Sequence, residues 1–91
     1  MTKKVIISQT MANHLEGTRR IEVNGNTVGE VLNDLVTRYP VIRPYALDSD
    51  GNLIQSLNVF LNEVEIRSLA GINTPMQDED VLIMVTPITG G

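Results

Sequence analysis

The residues with the clearest chemical potential lie at the end of the sequence, which reads Ile88-Thr89-Gly90-Gly91. Two glycines leave the carboxylate of Gly91 without a neighbouring side chain, so the segment can enter a channel that excludes a Cβ atom. Chain ends are also commonly disordered and rich in small residues. Here the pair follows an apolar run, Val81–Val85, and Pro87. This context predicts an ordered strand that leads into a projecting tail, with the Gly91 carboxylate as the reactive group.

Other chemical groups in the sequence do not form a recognisable site. The chain has no cysteine, which excludes disulfides, thiolate–zinc sites and cysteine nucleophiles. The single histidine, His14, has no nearby acidic pair, and the segment 48–52 lacks the spacing and the closing glutamate of a calcium loop. No phosphate-binding loop, catalytic triad or metal spacing is present. We therefore predict no catalytic residues, no metal, no bound cofactor and no independent enzymatic activity.

Length and composition favour one small domain. The chain has 91 residues, of which 42% are hydrophobic, enough for a core near the lower limit of independent folding. We expect a domain over residues 1–86 and a flexible tail over residues 87–91. The net charge of −4 argues against nucleic acid or an anionic membrane as a partner. The apolar start is too short for a signal or membrane segment, and we expect a cytoplasmic protein.

The best-defined element is a helix that begins after Thr27. Glu30 follows Thr27 by three residues, the spacing of a capping box. Pro40 marks the end of the helix. Apolar residues then recur on one continuous face, at Val28, Val31, Leu32, Leu35, Val36 and Tyr39.

Strand patterns surround this helix. They cover 3–9, 18–23, 57–61, a shorter run at 64–67, and 81–85, while 10–17 and 42–47 suit connections with short helical turns. One helix among five such segments predicts an α+β fold of the ubiquitin-like β-grasp type, with a mixed sheet of four to five strands and the main helix packed on one face. In that arrangement the first and last strands pair in parallel at the centre and are apolar on both faces.

A single helix leaves the other face of the sheet uncovered. If Leu82 and Met84 face the helix, strand alternation turns Ile83 and Val85 the other way, and the same parity places Phe60 beside them. The sequence therefore predicts an apolar docking patch of Phe60, Ile83 and Val85.

Several segments, in this order along the chain, are similar to those of a known family. They are Leu15-Glu16-Gly17-Thr18, Thr27-Val28-Gly29-Glu30-Val31-Leu32, Leu61-Asn62-Glu63-Val64-Glu65-Ile66-Arg67, Asp78-Glu79-Asp80-Val81 and Pro87-Ile88-Thr89-Gly90-Gly91. Over nearly its whole length the chain resembles the MoaD/ThiS family of ubiquitin-like sulfur carrier proteins, which includes the small subunit of molybdopterin synthase. It departs from the family pattern where Thr86 replaces the first proline of a frequent Pro-Pro pair and where Glu79 replaces a turn glycine.

The resemblance implies a mechanism and two partners. An E1-like enzyme would use ATP to adenylate the Gly91 carboxylate, and a sulfur donor would displace AMP to leave a thiocarboxylate. A second enzyme, a synthase or sulfurtransferase, would then take the sulfur for biosynthesis. Gly91 would be the modified residue, and Pro87, Ile88, Thr89 and Gly90 would form the recognised tail.

Other functions remain open at this point. The same activation chemistry would serve a ubiquitin-like protein modifier joined to lysine through Gly91, and a β-grasp binding module with an inert tail is a third possibility. Within the carrier class, the length of the loops favours a molybdopterin-type acceptor, and hence molybdenum cofactor biosynthesis, or a cysteine-synthesis-type acceptor over a thiazole one.

Overall fold

The computed structural model describes residues 2–86 and contains five strands and three α-helices in this part of the chain. The elements, in order, are β1 (Lys3–Ile6), α1 (Gln9–Ala12), β2 (Arg20–Val23), α2 (Val28–Arg38), α3 (Arg43–Ala46), β3 (Asn58–Leu61), β4 (Val64–Glu65) and β5 (Val81–Val85). Three short 3₁₀ turns complete them, at Pro40–Ile42, Ile66–Ser68 and Gly71–Asn73. The predicted α+β class is confirmed.

All five strands form one sheet in the order β2-β1-β5-β3-β4. β1 and β5 pair in parallel at its centre, while the other three pairings are antiparallel. A parallel pair needs a long crossover between its strands. In this chain everything from α1 to the loop before β5 serves as that crossover, and α2 packs on one face of the sheet, as predicted for a β-grasp fold.

The start of α2 follows the capping pattern in the sequence. The Thr27 hydroxyl accepts a hydrogen bond from the Glu30 amide at 3.2 Å, and the Glu30 carboxylate accepts one from the Asn26 amide at 2.8 Å. The carboxylate therefore reaches one residue further back than in the standard capping box. Five residues of the predicted apolar face are fully buried, namely Val28, Val31, Leu32, Leu35 and Val36. They pack with inward residues of the sheet into a single core.

Four strands are shorter than their sequence patterns predict: β2 and β3 begin later, at Arg20 and Asn58, and β1 and β4 end earlier. β1 ends at Ile6 rather than Gln9, because the Ser8 hydroxyl accepts the Met11 amide hydrogen bond and starts α1. β4 ends at Glu65 rather than Arg67, because the chain turns into a 3₁₀ segment that buries Ile66. In both places a local side-chain or burial requirement overrides the strand propensity of the residues.

β1 is not apolar on both faces, so that prediction is wrong for this strand. Lys3 lies on the inward face and is only 4% exposed, while Lys4 is exposed on the opposite face. The ammonium of Lys3 reaches the Asp78 carboxylate at 2.9 Å. Since a buried charge needs a partner, this ion pair allows a lysine to occupy a central strand.

Replacing Thr27 by alanine tests the helix cap. We expect Thr27→Ala to lower the free energy of unfolding by about 1 kcal/mol, because the Glu30 amide loses its acceptor. Thr37→Ala is the matched control, since the Thr37 hydroxyl binds the Asn33 carbonyl within the helix and caps nothing. Urea denaturation of both variants measures the difference. An equal decrease in the free energy of unfolding in the two variants would contradict a capping role for Thr27.

Candidate functional site

Within residues 2–86 the sheet presents one face to α2 and leaves the other uncovered; we call this second face the open face. On β5, Leu82 and Met84 are buried on the helix side, while Ile83 is half-buried and Val85 is 42% exposed on the open face. Phe60 of β3 is also half-buried on the open face. The orientation predicted for these three side chains of the apolar patch therefore agrees with the burial pattern.

Strand register gives the patch its shape. Phe60 lies directly opposite Ile83 in the β3–β5 pair, and Ile83 lies directly opposite Ile6 in the β1–β5 pair. Directly opposed residues have their side chains on the same face and within contact distance. The structure therefore adds Ile6 to the patch and places Val85 at one end, opposite Asn58. The sequence interpretation missed Ile6, and only the parallel register of β1 with β5 identifies it.

Charged residues bracket this apolar row at the two edges of the sheet. Arg20 of β2 lies opposite Ile6, and Glu65 of β4 lies opposite Phe60. Across the five strands the row therefore reads Arg20, Ile6, Ile83, Phe60, Glu65, and we call it the central row. Arg20 is exposed, whereas Glu65 is half-buried and pairs with Arg67 at 3.2 Å. The open face thus has an apolar centre, with Arg20 at one edge of the central row and Glu65, paired with Arg67, at the other.

The chain leaves the sheet at the end of β5. Thr86 is the last residue that the structure describes, and the predicted tail residues Pro87, Ile88, Thr89, Gly90 and Gly91 lie outside the described residues. Beside this exit is a shallow groove whose lining includes Ser8, Arg19 and Val85. The Arg19 side chain donates a hydrogen bond to the Ile7 carbonyl at 3.2 Å, which holds it next to the groove.

Within residues 2–86 the structure shows no group of three or more potential metal ligands. No helix in this part of the chain combines the length and apolar character needed to cross a membrane.

The family relationship follows from comparison with known proteins. The model of the ThiS family matches residues 9–91, which is most of the chain and includes its terminal glycines. The chain belongs to the ThiS family. The sulfur carrier protein CysO of Mycobacterium tuberculosis is 28% identical over 93 aligned residues that cover 100% of both chains.

Solved structures agree with this assignment of the ThiS-family chain. A chain of the Amycolatopsis orientalis BexX/CysO complex superposes with a TM-score of 0.81 at 26% identity, covering 96% of this chain and 99% of that one. SAMP1 from Haloferax volcanii has a TM-score of 0.86 at 24% identity with complete coverage of both chains, which shows a shared fold.

A polar network holds the turn before β5 in this ThiS-family chain. The Asp80 carboxylate accepts hydrogen bonds from the Gln77 amide at 2.8 Å and from the Asn62 side chain at 3.1 Å. Asn62 also accepts a hydrogen bond from the Val81 amide at 3.0 Å, and its own backbone adopts a φ of 58°. Asparagine tolerates this left-handed conformation better than most residues. The β3–β4 turn is therefore tied to the first residue of β5.

The same network explains how Glu79 replaces the glycine usual in the family. Among residues 2–86 the only non-glycine residues with positive φ are Glu16 and Asn62, so the backbone at Glu79 has a conformation open to any side chain. Because Asp80 and Asn62 shape the turn through side-chain hydrogen bonds, glycine is not required there. Asp78 pairs with Lys3. Two of the three acidic residues in this turn, Asp78 and Asp80, therefore make contacts within the chain that stabilise the fold.

The hydrogen bonds from Gln77 and Asn62, with a smaller contribution from the charge of Lys3, lower the pKa of Asp80 below its ordinary value. A depressed native pKa contributes stability above the unfolded-state pKa, and this contribution is lost as the pH falls through the native pKa. We expect Asp80→Asn to be less stable than wild type near neutral pH and the difference to shrink below about pH 4.

Thermal unfolding between neutral and acidic pH measures this effect. Asp50→Asn is the matched control, since Asp50 is exposed and its carboxylate accepts no hydrogen bond within residues 2–86. A stability difference between Asp80→Asn and wild type that stayed constant across the whole pH range would contradict the assignment.

Proposed function

We propose that this ThiS-family chain is a sulfur carrier in which Gly91 provides the C-terminal carboxylate that becomes a thiocarboxylate. The match of the family model from residue 9 to residue 91, through both terminal glycines, is the observation that carries this proposal. The similarity to CysO, a protein named as a sulfur carrier, extends over the full length of both chains and supports it. In this role the chain is a cosubstrate of its partner enzymes and contributes no catalytic residue.

The chemistry requires activation because a carboxylate at neutral pH is a poor electrophile. An E1-like partner would let the Gly91 carboxylate oxygen attack the α-phosphorus of ATP, which forms an acyl-adenylate and releases pyrophosphate. Sulfide equivalents from a donor would then attack the acyl carbon and displace AMP, leaving a thiocarboxylate. ATP is bound and used by the partner, so the carrier itself needs no cofactor.

The fold supports this use of the tail. β5 is hydrogen-bonded to β1 on one side and to β3 on the other. The tail therefore starts from the central strand of the sheet, whose position is held from both sides. Five extended residues after Thr86 reach about 15–18 Å, enough to carry the terminal carbon into a buried active site. Gly90 and Gly91 keep the tail thin, while Pro87, Ile88 and Thr89 would provide the side chains that partners recognise.

The open face is the proposed docking surface for the partners. Phe60, Ile83 and Val85, with Ile6, form an apolar area at the foot of the tail. Binding there would place the start of the tail beside the interface. The related CysO from Amycolatopsis orientalis has been crystallised in a complex with a second protein, BexX, which is consistent with carriers of this kind binding a protein partner.

The second partner would be a synthase or sulfurtransferase that accepts the sulfur. Chain length favours two candidate acceptors, one of the cysteine-synthesis type and one of the molybdopterin type. We propose that the reaction takes place in the cytoplasm.

The first experiment measures the intact mass of the protein after incubation with ATP, an E1-like enzyme of the source organism and sulfide. We expect a mass change that corresponds to one oxygen replaced by one sulfur, located at Gly91 by fragmentation. The change should be absent when Gly90 and Gly91 are deleted. Gly91→Ala should reduce the converted fraction at least tenfold without a change in thermal stability, because a Cβ atom widens the tail.

Other outcomes of this experiment point elsewhere. Lysine-linked conjugates that survive denaturing electrophoresis would indicate a protein modifier. An unchanged mass with every competent E1-like enzyme would contradict the carrier function and favour a binding module with an inert tail.

A matched pair of charged substitutions tests the docking surface. Val85 on the open face is 42% exposed and Val41, in the 3₁₀ turn after α2, is 48% exposed. We expect Val85→Lys to raise the concentration of carrier needed for half-maximal adenylation about tenfold, since an unpaired ammonium buried at an interface is unfavourable and Arg19 lines the same groove. Val41→Lys should leave it unchanged. Equal effects of the two variants would argue against docking through the open face.

A further inference from the structure

The open face of the sheet matches itself after a two-fold rotation. In the central row, Ile83 occupies the middle strand of five, with Ile6 and Phe60 on either side and Arg20 and Glu65 at the edges. Two copies can face each other through their open faces, related by a two-fold axis that lies between them and runs parallel to β5. This rotation places the β1–β2 half of the row in one copy over the β3–β4 half in the other. Arg20 of each copy then faces Glu65 of the other, and Ile6 faces Phe60.

We propose that two copies of this chain associate through their open faces about this axis, with the Ile83 side chains in contact at the centre. The apolar pair Ile6–Phe60 and the ion pair Arg20–Glu65 would each form twice by symmetry. Facing sheets lie about 10 Å apart, a distance that the long side chains of Arg20 and Glu65 span together.

The charges select this axis over the alternative. A two-fold axis across the strands would bring each edge of the sheet onto the same edge of the second copy. Arg20 would then face Arg20 and Glu65 would face Glu65, both repulsive contacts. With the axis along β5, the next outward row places Lys4 opposite Asn62 of the second copy and Glu22 near its Glu63. This single like-charge approach is weakened by Lys4, the cross-strand neighbour of Glu22.

The area indicates a transient dimer. The central row spans about 19 Å between its outer strands, and three outward residues of β5 span about 13 Å, so each copy contributes on the order of 300 Å². Stable complexes bury about 800 Å² per partner. We therefore expect a dissociation constant in the high micromolar range.

The dimer would occupy the same surface as the enzyme partners in the proposed function. Self-association and partner docking would therefore exclude each other, and the free carrier would cover its own apolar area when it is concentrated. The existence of the dimer does not depend on sulfur chemistry, so each proposal can fail while the other stands.

Sedimentation equilibrium of the full chain, from about 10 μM to about 1 mM, tests the association. The apparent mass should rise from 10.0 kDa towards twice that value. Arg20→Glu or Glu65→Arg alone should weaken association about tenfold, because each places like charges together at two symmetric positions. The double variant Arg20→Glu/Glu65→Arg restores opposite charges and should recover association.

Two controls complete the experiment. Arg43→Glu makes the same charge change as Arg20→Glu at an exposed position on α3, away from the open face, and should leave association unchanged. Ile83→Arg places two cations at the axis and should abolish it. A monomeric mass at every concentration would overturn the proposal, as would a double variant that stays as weak as the single ones. Intact-mass assays of thiocarboxylate formation on the same variants at low concentration report separately on the carrier function.

Discussion

The parallel pairing of β1 with β5 is the constraint on which the rest of this structure depends. Strands that are parallel and adjacent cannot be joined by a tight turn, so the chain must leave the sheet and return from the other end. Here the return path contains α2, both edge strands and the loops between them. The last strand consequently lies at the centre of the sheet, where it is hydrogen-bonded on both sides, and the chain emerges from the middle of the fold.

The same arrangement creates two unequal faces. α2 supplies one apolar stripe, which covers the inward side chains of the sheet together with buried residues outside it, such as Met11, Ala46 and Met76. Among residues 2–86, the opposite side of the sheet has no second layer. Side chains such as Ile83 and Phe60 are therefore only half-buried on that side. An apolar surface of this kind is stable in a small domain when it is limited in size and bordered by charges, as Arg20 and Glu65 border it here.

The start of β5 is fixed by polar contacts. Lys3 reaches Asp78, and Asn62 joins the β3–β4 turn to Asp80 and to the amide of Val81. These contacts set where β5 begins relative to β1 and β3. They thereby set the register that aligns Ile6, Ile83 and Phe60 on the open face. The turn that contains Glu79 is shaped by side-chain hydrogen bonds and does not require a glycine.

Elements with local signals can be predicted from the residues alone. The capping residues Thr27 and Glu30 and the apolar period of α2 act within a few turns of one helix, and the apolar run at Val81–Val85 identifies a strand without knowledge of its neighbours. The terminal glycines and the order of the motifs along the chain likewise indicate the family without the tertiary structure. Strand propensity predicts too long a strand at two places: at Ser8, whose hydroxyl caps α1 and ends β1, and at Ile66, whose burial ends β4.

Only the tertiary structure decided which residues meet across strands. Ile6 joins Ile83 because β1 and β5, separated by most of the chain, pair in one particular register. Lys3 is buried because its partner Asp78 comes from a distant turn. Burial and register depend on contacts between residues far apart in the chain, and no local pattern of residue types encodes such a pairing.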